Sequence, residues 1–335
     1  MNSSAKNGKA GKKLAEQVNI ILKKRSAKAY KKAKNILLSE KIQSNIIQEA
    51  LRYFMQEWCD VKHPGMLSIA CETVGGDPNK VNDIGAALLL LLSTAHIHDD
   101  IIDQSKIKGH KPTVFGKFGR DVALLVGDAL LFEGLILLHQ FCEKLPPSKK
   151  RIIIDLAKAA FLEIGGGEAR EVVLREKYNL SPEECLKNLT MRAAMAEAVM
   201  RIGAVIGDGT EEEIECLGHY GRSLGLLAAI REEFIDIFEP EELKNRYEHE
   251  CLPLPILYAL QNGKKRNRIM CLLQKKRITE EDAYTLADLV LDTEEIQKQK
   301  KNMQSLIEKE LQQLTSIKQN KEILKLLLNS TVEDL

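Results

Sequence analysis

The stretch "HIHDDIID", His96 to Asp103, decides how the rest of the chain is read. Ahead of it, Gly85 to Ile97 is almost wholly apolar or small, and then Asp99, Asp100 and Asp103 follow. Asn82 stands before this run as a candidate N-cap, so the pattern predicts a helix from there to about Asp103. On a helix, residues three and four apart lie on neighbouring turns of one face, as Asp100 and Asp99 do relative to Asp103. They also fall at the C-terminal end, where the backbone dipole is already negative. Three carboxylates there repel one another and the dipole, so something positive should neutralise them. Oxygen donors with room for water suit magnesium, which commonly takes one or two carboxylates plus substrate phosphates.

A second cluster repeats the spacing. "REEFIDIF" places Glu232, Glu233 and Asp236 after the apolar stretch "LGLLAAI". One such triplet reads most simply as a solvated helix end. Two matched triplets on two helices are expected to face each other across a cavity and hold several metal ions.

The surrounding composition favours helix. Nine prolines, 8 Phe, 7 Tyr and 1 Trp sit in a chain of 335 residues that is 44% hydrophobic and rich in Leu, Ala, Ile, Lys and Glu. No alternating Val/Ile/Thr segment reads as a strand. Helical periodicity covers Leu14 to Leu38, Gln43 to Trp58, Asp121 to Cys142 and Ser148 to about Lys177. Ser181 with Glu184, and Thr210 with Glu213, have capping-box spacing; the second opens a helix expected to reach about Phe238. With no Gly/Ser linker and no break in composition, an all-α single domain over residues 14–335 is expected, behind a flexible basic tail at 1–13.

A net charge of +1 favours neither nucleic acid nor an acidic partner. The lysines near the start, Lys6 to Lys13 and Lys23 to Lys34, read as a tail and a solvated helix face, with at most peripheral membrane contact. Cys59, Cys71, Cys142, Cys185, Cys216, Cys251 and Cys271 show no paired short spacing. With no apolar leader and no apolar run long enough to span a bilayer, free thiols in a reducing, cytoplasmic setting are expected.

"HDDIID" resembles the first aspartate-rich motif of the trans-isoprenyl diphosphate synthases, the polyprenyl synthetases. "GGDP" at 75–78, "KPTVFGKFG" at 111–119, "GDALL" at 127–131 and "GRSLGLLAAIREEFIDIF" at 221–238 fall in the family's order, so the likeness covers most of the chain. The resemblance implies the isoprenoid synthase type I fold, a helical bundle around a deep apolar cavity, usually as a homodimer. It assigns both acidic triplets to magnesium, three ions when an allylic prenyl diphosphate is bound. It also assigns Lys108, Arg192 and Lys244 to that diphosphate, and turns the family's Gly-Gln-x-x-Asp helix into Gly167, Glu168 and Glu171. Residues five and four before the first aspartate, Thr94 and Ala95, are small and leave room for a long tail, which must also clear Phe132.

The departures concern the second substrate. Family members bind isopentenyl diphosphate with a Gly-Lys-Arg-x-Arg-Pro run, and this chain has "CDVKHPGM". With Pro64 in register, the three basic positions hold Asp60, Val61 and His63. Leu92 replaces a His or Gln seven residues before Asp99, and Gly109 replaces the second arginine of an Arg-Arg-Gly run. Asp60 would repel a diphosphate that forked donors should hold. The chain is therefore expected to ionise a prenyl diphosphate and let the cation cyclise, lose a proton or attack another acceptor. Two alternatives stand beside this: an ordinary chain-elongating synthase, and a non-catalytic subunit that forms a heteromer with an active one.

Competing motifs are weaker. His96 and His98 are two apart and point to different helix faces, which disfavours zinc. "GGGEAR" at Gly165 lacks the Lys-Ser/Thr ending of a phosphate loop and reads as close helix packing.

Overall fold

The structure is a computed structural model and describes residues 4–60, 62–175, 180–317 and 319–332, with backbone alone for residues 4–13. In chain order the helices are α1 (Ser4–Ser39), α2 (Asn45–Glu57), α3 (Lys62–Thr73), α4 (Asn82–Ile102), α5 (Val114–Phe118), α6 (Arg120–Cys142), α7 (Pro147–Leu174) and α8 (Pro182–Arg192). They continue as α9 (Ala194–Ile206), α10 (Glu211–Ile235), α11 (Pro240–His249), α12 (Leu254–Leu260), α13 (Gly263–Leu273), α14 (Glu280–Leu291), α15 (Glu294–Gln313) and α16 (Lys321–Asn329). The all-α expectation holds. Both capping boxes form, Ser181 with Glu184 and Thr210 with Glu213.

α4 is the central element. Every residue from Ile84 to Thr94 is buried, so this part of the helix has no polar face and belongs inside the bundle. By length and composition α4 and α6 could each cross a bilayer, contrary to the expected short run; for α4 the protein core accounts for the apolarity. α4 packs on α6, α1 and α3, and α9 joins α3 to α10. The approach of α6 needs small residues: a Cβ on Gly127 would stand 2.5 Å from His98 Nε2, and one on Gly134 would stand 2.8 Å from Leu91. From Ala95 onward α4 is only partly covered: Ala95, His96, His98, Asp99 and Asp100 reach its surface while Ile97 stays buried.

Several expectations shift. Asn82 does not cap α4; its side chain donates to Asn79 O, and Asp77 caps the preceding 3-10 turn instead. α1 begins at Ser4, so residues 4–13, expected as a tail, continue a helix that contains no proline. α10 ends at Ile235 and tightens into a 3-10 turn through Phe238. The glycine run at Gly165 lies inside α7, with Gly166 and Gly167 against Met191. A small hairpin was not expected: β1 (Ile107–Lys108) pairs antiparallel with β2 (Lys111–Pro112). Its two turn residues, Gly109 (φ 54°) and His110 (φ 65°), are both left-handed, as a tight type I′ turn requires. Gly109 thus serves the turn.

Beyond α10 a second, smaller core forms around Ile237, Leu243, Ile256, Ile269, Leu286 and Val290. It seats α11 beside the acidic end of α10.

Candidate active site

The first triplet ends α4 and is met by two cations from elsewhere in the chain. The hairpin delivers Lys108, whose Nζ lies 2.8 Å from Asp100 Oδ1 and 3.7 Å from Asp99 Oδ2. Arg192, the last residue of α8, reaches Asp99 Oδ1 at 3.7 Å. Its main bonds go to Glu168 on α7, 2.9 Å from Nε and 3.3 Å from Nη2, with Glu171 at 3.6 Å. Lys108 and Arg192 therefore both stand beside Asp99. Among the described residues Asp99 Oδ1 is buried and has no hydrogen-bond partner, because the 3.7 Å to Arg192 is ion-pair distance only.

The second triplet is arranged differently. Glu233 turns inward, and both its oxygens are taken by Arg246 Nη2 at 3.0 Å, with one also accepting from Leu254 N–H at 2.8 Å. It is therefore corrected from cavity ligand to buried anchor. Glu232 and Asp236, one turn apart, remain. Asp236 Oδ2 is 3.4 Å from Arg246 Nη1, and Glu232 Oε1 is 3.5 Å from Lys62 Nζ at the start of α3.

Electrostatics show what is missing from this cluster. Burial, then Asp99, Glu250 and Glu171, push the Asp103 carboxyl up to about 9. Burial, with Glu233, Glu242 and Glu232 outweighing the help of Arg246, pushes Asp236 up to about 8. Glu250 is raised to about 7 and Glu168 to about 6, first by burial. Asp99 is also desolvated, yet Lys108 and Arg192 hold it down at about 2. Carboxylates that crowd without enough positive charge protonate instead of ionising. An oxygen-rich, anion-excess cluster of this kind fits a divalent cation such as magnesium. Among the described residues no three acidic, His or Cys side chains close into a cage.

Other expected residues divide. Asp60 and His63 sit together: His63 Nδ1 is 2.7 Å from Asp60 Oδ2, and Asp60 Oδ1 accepts from Lys62 N–H at 2.7 Å, capping α3. Leu92 is in the core. Val61 lies outside the described residues. Ala95 is half-buried, but Thr94 is sealed against α6, its hydroxyl donating to Gly127 O at 3.1 Å. Phe132 is corrected: it is 68% exposed on the outer face of α6, opposite Leu130 and Gly134. Lys244 is corrected as well; it bonds Lys275 O and pairs with Glu248, away from the acids.

The basic residue that serves this end is Arg246, which sequence reasoning missed. Two residues along a helix turn the side chain through about 200°, so a two-residue error selects the opposite face. Arg246 also donates from Nε to Cys251 O at 2.7 Å and lies 3.6 Å from Glu250. Asn245 was missed too; it bonds Asp103 O, Ser105 Oγ and Glu250, locking the end of α4 to α11. The i, i+4 spacing of Arg246 and Glu250 was a readable signal.

The family profile described as polyprenyl synthetase matches residues 44–290, a span that contains both acidic triplets, Lys108, Arg192 and Arg246. The chain belongs to the polyprenyl synthetase family. Among similar curated proteins is geranylgeranyl pyrophosphate synthase 11, chloroplastic, of Arabidopsis thaliana, 32% identical over 234 residues, 66% of this chain and 65% of that relative. The chain thus spans just under two thirds of that relative's length. The short chain isoprenyl diphosphate synthase of Methanothermobacter thermautotrophicus is 27% identical over 231 residues, 68% of this chain and 66% of the relative. The fold matches that of geranylgeranyl pyrophosphate synthetase from Pyrococcus horikoshii, with a TM-score of 0.82 at 22% identity over 95% of this chain and 98% of the other. It also matches a polyprenyl synthase from Caulobacter crescentus complexed with calcium and isoprenyl diphosphate, with a TM-score of 0.74 at 18% identity over 99% and 98%. As a member of this family the chain has the all-helical isoprenoid synthase fold.

Proposed function

We propose that this polyprenyl synthetase is a magnesium-dependent prenyltransferase that ionises an allylic prenyl diphosphate. The observation that carries the reading is Asp99, set between Lys108 and Arg192 with a buried oxygen that has no hydrogen-bond partner among the described residues. Asp99, Asp103, Glu232 and Asp236 would hold the metal, three ions by the family likeness, with Asp100 set by Lys108. Magnesium neutralises the diphosphate so that its carbon–oxygen bond can break.

The chain's own residues do the rest. Lys108 and Arg192 offer N–H donors to diphosphate oxygens and stabilise the charge that grows there. Glu168 holds the guanidinium of Arg192 by two hydrogen bonds, fixing its direction. Arg246, anchored by Glu233 and Cys251 O, sets the position of Asp236. The apolar shaft of α4 ends at this point, and apolar side chains lining the bound prenyl group would keep water from the allylic cation.

Relatives named as geranylgeranyl and short-chain isoprenyl diphosphate synthases support chain elongation as the reaction. A specific observation favours a second reading, in which the reaction finishes without isopentenyl diphosphate. Where that diphosphate would need cations, Asp60 and His63 are paired to each other. The exposed stripe of Leu124, Leu125, Phe132 and Leu135 on α6 supports a homodimer through this face, in a reducing cytoplasm that suits the seven free cysteines. The test supplies geranyl, farnesyl and geranylgeranyl diphosphate with magnesium, with and without isopentenyl diphosphate, and measures diphosphate release and products. Magnesium-dependent release supports the proposal. Longer prenyl diphosphates formed only with isopentenyl diphosphate select elongation. No release under any condition overturns the proposal in favour of a subunit that pairs with an active synthase.

A further inference from the structure

The Asp60–His63 pair lies next to the second acidic triplet. Lys62, between the two, reaches Glu232 of the second triplet at 3.5 Å. His96, one turn before Asp99, acts electrostatically on Asp60 at one side and on Asp99 at the other.

The pair itself has a defined polarity. Asp60 is tied at both oxygens, one to the Lys62 N–H and the other to His63 Nδ1. The aspartate therefore fixes the ring and directs Nε2 away from itself. Among the described residues His63 Nε2 has no hydrogen-bond partner, and the side chain is only partly buried. The hydrogen bond from His63 Nδ1–H, with the positive charge of Lys62, keeps Asp60 ionised in spite of its desolvation. A free imidazole nitrogen backed by an ionised, fixed carboxylate is built to take a proton and stabilise the imidazolium that results.

We infer that His63 is the proton acceptor of this site, with Asp60 as its positioning residue, and that the reaction ends in a neutral prenyl alkene. The inference rests on the second reading above, in which isopentenyl diphosphate is not required. The allylic carbon–oxygen bond breaks and its electron pair leaves with the diphosphate. A carbon–hydrogen bond next to the allylic cation then breaks, and its pair becomes a new carbon–carbon double bond. The proton passes to His63 Nε2 and from there to water. The substrate is a prenyl diphosphate alone, and no oxidant or second organic substrate enters.

The experiment uses the full chain, magnesium and geranylgeranyl diphosphate without isopentenyl diphosphate, and reads hydrocarbon and prenyl alcohol by gas chromatography with mass detection. Wild type should give mainly hydrocarbon. In His63→Gln, diphosphate should still be released while the hydrocarbon-to-alcohol ratio falls about 10²-fold, the lower end for loss of a general base. Asp60→Asn keeps an oxygen for the α3 cap but removes the charge, and should lower the ratio by less. A cap with only a structural role would change thermal stability and leave this ratio alone. An unchanged ratio in both variants overturns the inference. Release by wild type only when isopentenyl diphosphate is present sinks it while leaving the prenyltransferase reading intact. No release from any allylic diphosphate under either condition removes both.

Discussion

The two acidic triplets share one spacing and one position, the C-terminal end of an apolar helix, and yet the fold uses them differently. At the end of α4 the cations arrive from outside the helix, Lys108 from a hairpin and Arg192 from α8, and they leave Asp99 Oδ1 without a hydrogen-bond partner among the described residues. At the end of α10 a single arginine on the next helix is fully buried and consumes Glu233. The first triplet is thus poised for a ligand, whereas the second is divided between a ligand face, Glu232 and Asp236, and a structural anchor. Spacing tells which residues share a face. What stands opposite that face decides whether the carboxylate is available.

This division can be broken by substitution. Glu233→Ala should have the largest effect on stability, because it leaves the Arg246 guanidinium buried without its main partner. Breaking a buried pair in this way costs about 3–5 kcal/mol. Glu232→Ala, at the exposed Lys62 contact, should stay within about 0.5 kcal/mol of wild type. Urea unfolding of both variants decides it. Equal losses would mean that the triplet acts as one unit and that the asymmetry described for α10 is wrong.

Asp99→Ala comes next and should act on activity. Removing one charged group that acts on the developing transition-state charge costs about 10²–10³-fold in rate. The measurement is magnesium-dependent diphosphate release at saturating prenyl diphosphate, alongside a thermal melt. The melt should move less than that of Glu233→Ala, since Asp99 is the less fully bonded of the two. A variant with wild-type release would remove Asp99 from the metal-holding set.

Much of this site was legible because helical spacing and capping are local. The spacing of each triplet and the two capping boxes follow from residues read within a turn or two, whereas Lys108 and Arg192 came from the family resemblance; the structure sets both of these beside Asp99. What escaped depends on rotation or on distant partners. Phe132 is close in sequence to the buried Leu130 and Gly134, but it faces outward, so its aromatic bulk says nothing of the cavity. Lys244 and Arg246 differ by two positions and by nearly half a turn of helix. Gly109 looked like a lost arginine, and its φ of 54° shows that the hairpin turn itself calls for a residue tolerant of that conformation. The inward turn of Glu233 could not be seen without α11 and the Leu254 N–H beside it.

The smallest effect tests the general form of the comparison, that a partner decides the fate of a buried carboxylate. Asp60 is desolvated like Asp103, but it has His63 at 2.7 Å and the α3 amide, and its acidity moves the other way, below the usual value of 3.8. With a lowered folded-state value, the unfolded chain binds the proton first as pH falls. The contribution of Asp60 to stability is therefore complete above its unfolded value of about 4 and is lost as pH drops through the folded one. Asp60→Asn keeps the cap but not the charge, so wild type should exceed it in stability at neutral pH, and the gap should close on acidification below about pH 4. Denaturant midpoints of both proteins across that range supply the check. A gap that stayed constant with pH would show that Asp60 contributes only as a cap, and would leave His63 without a charged partner to hold it.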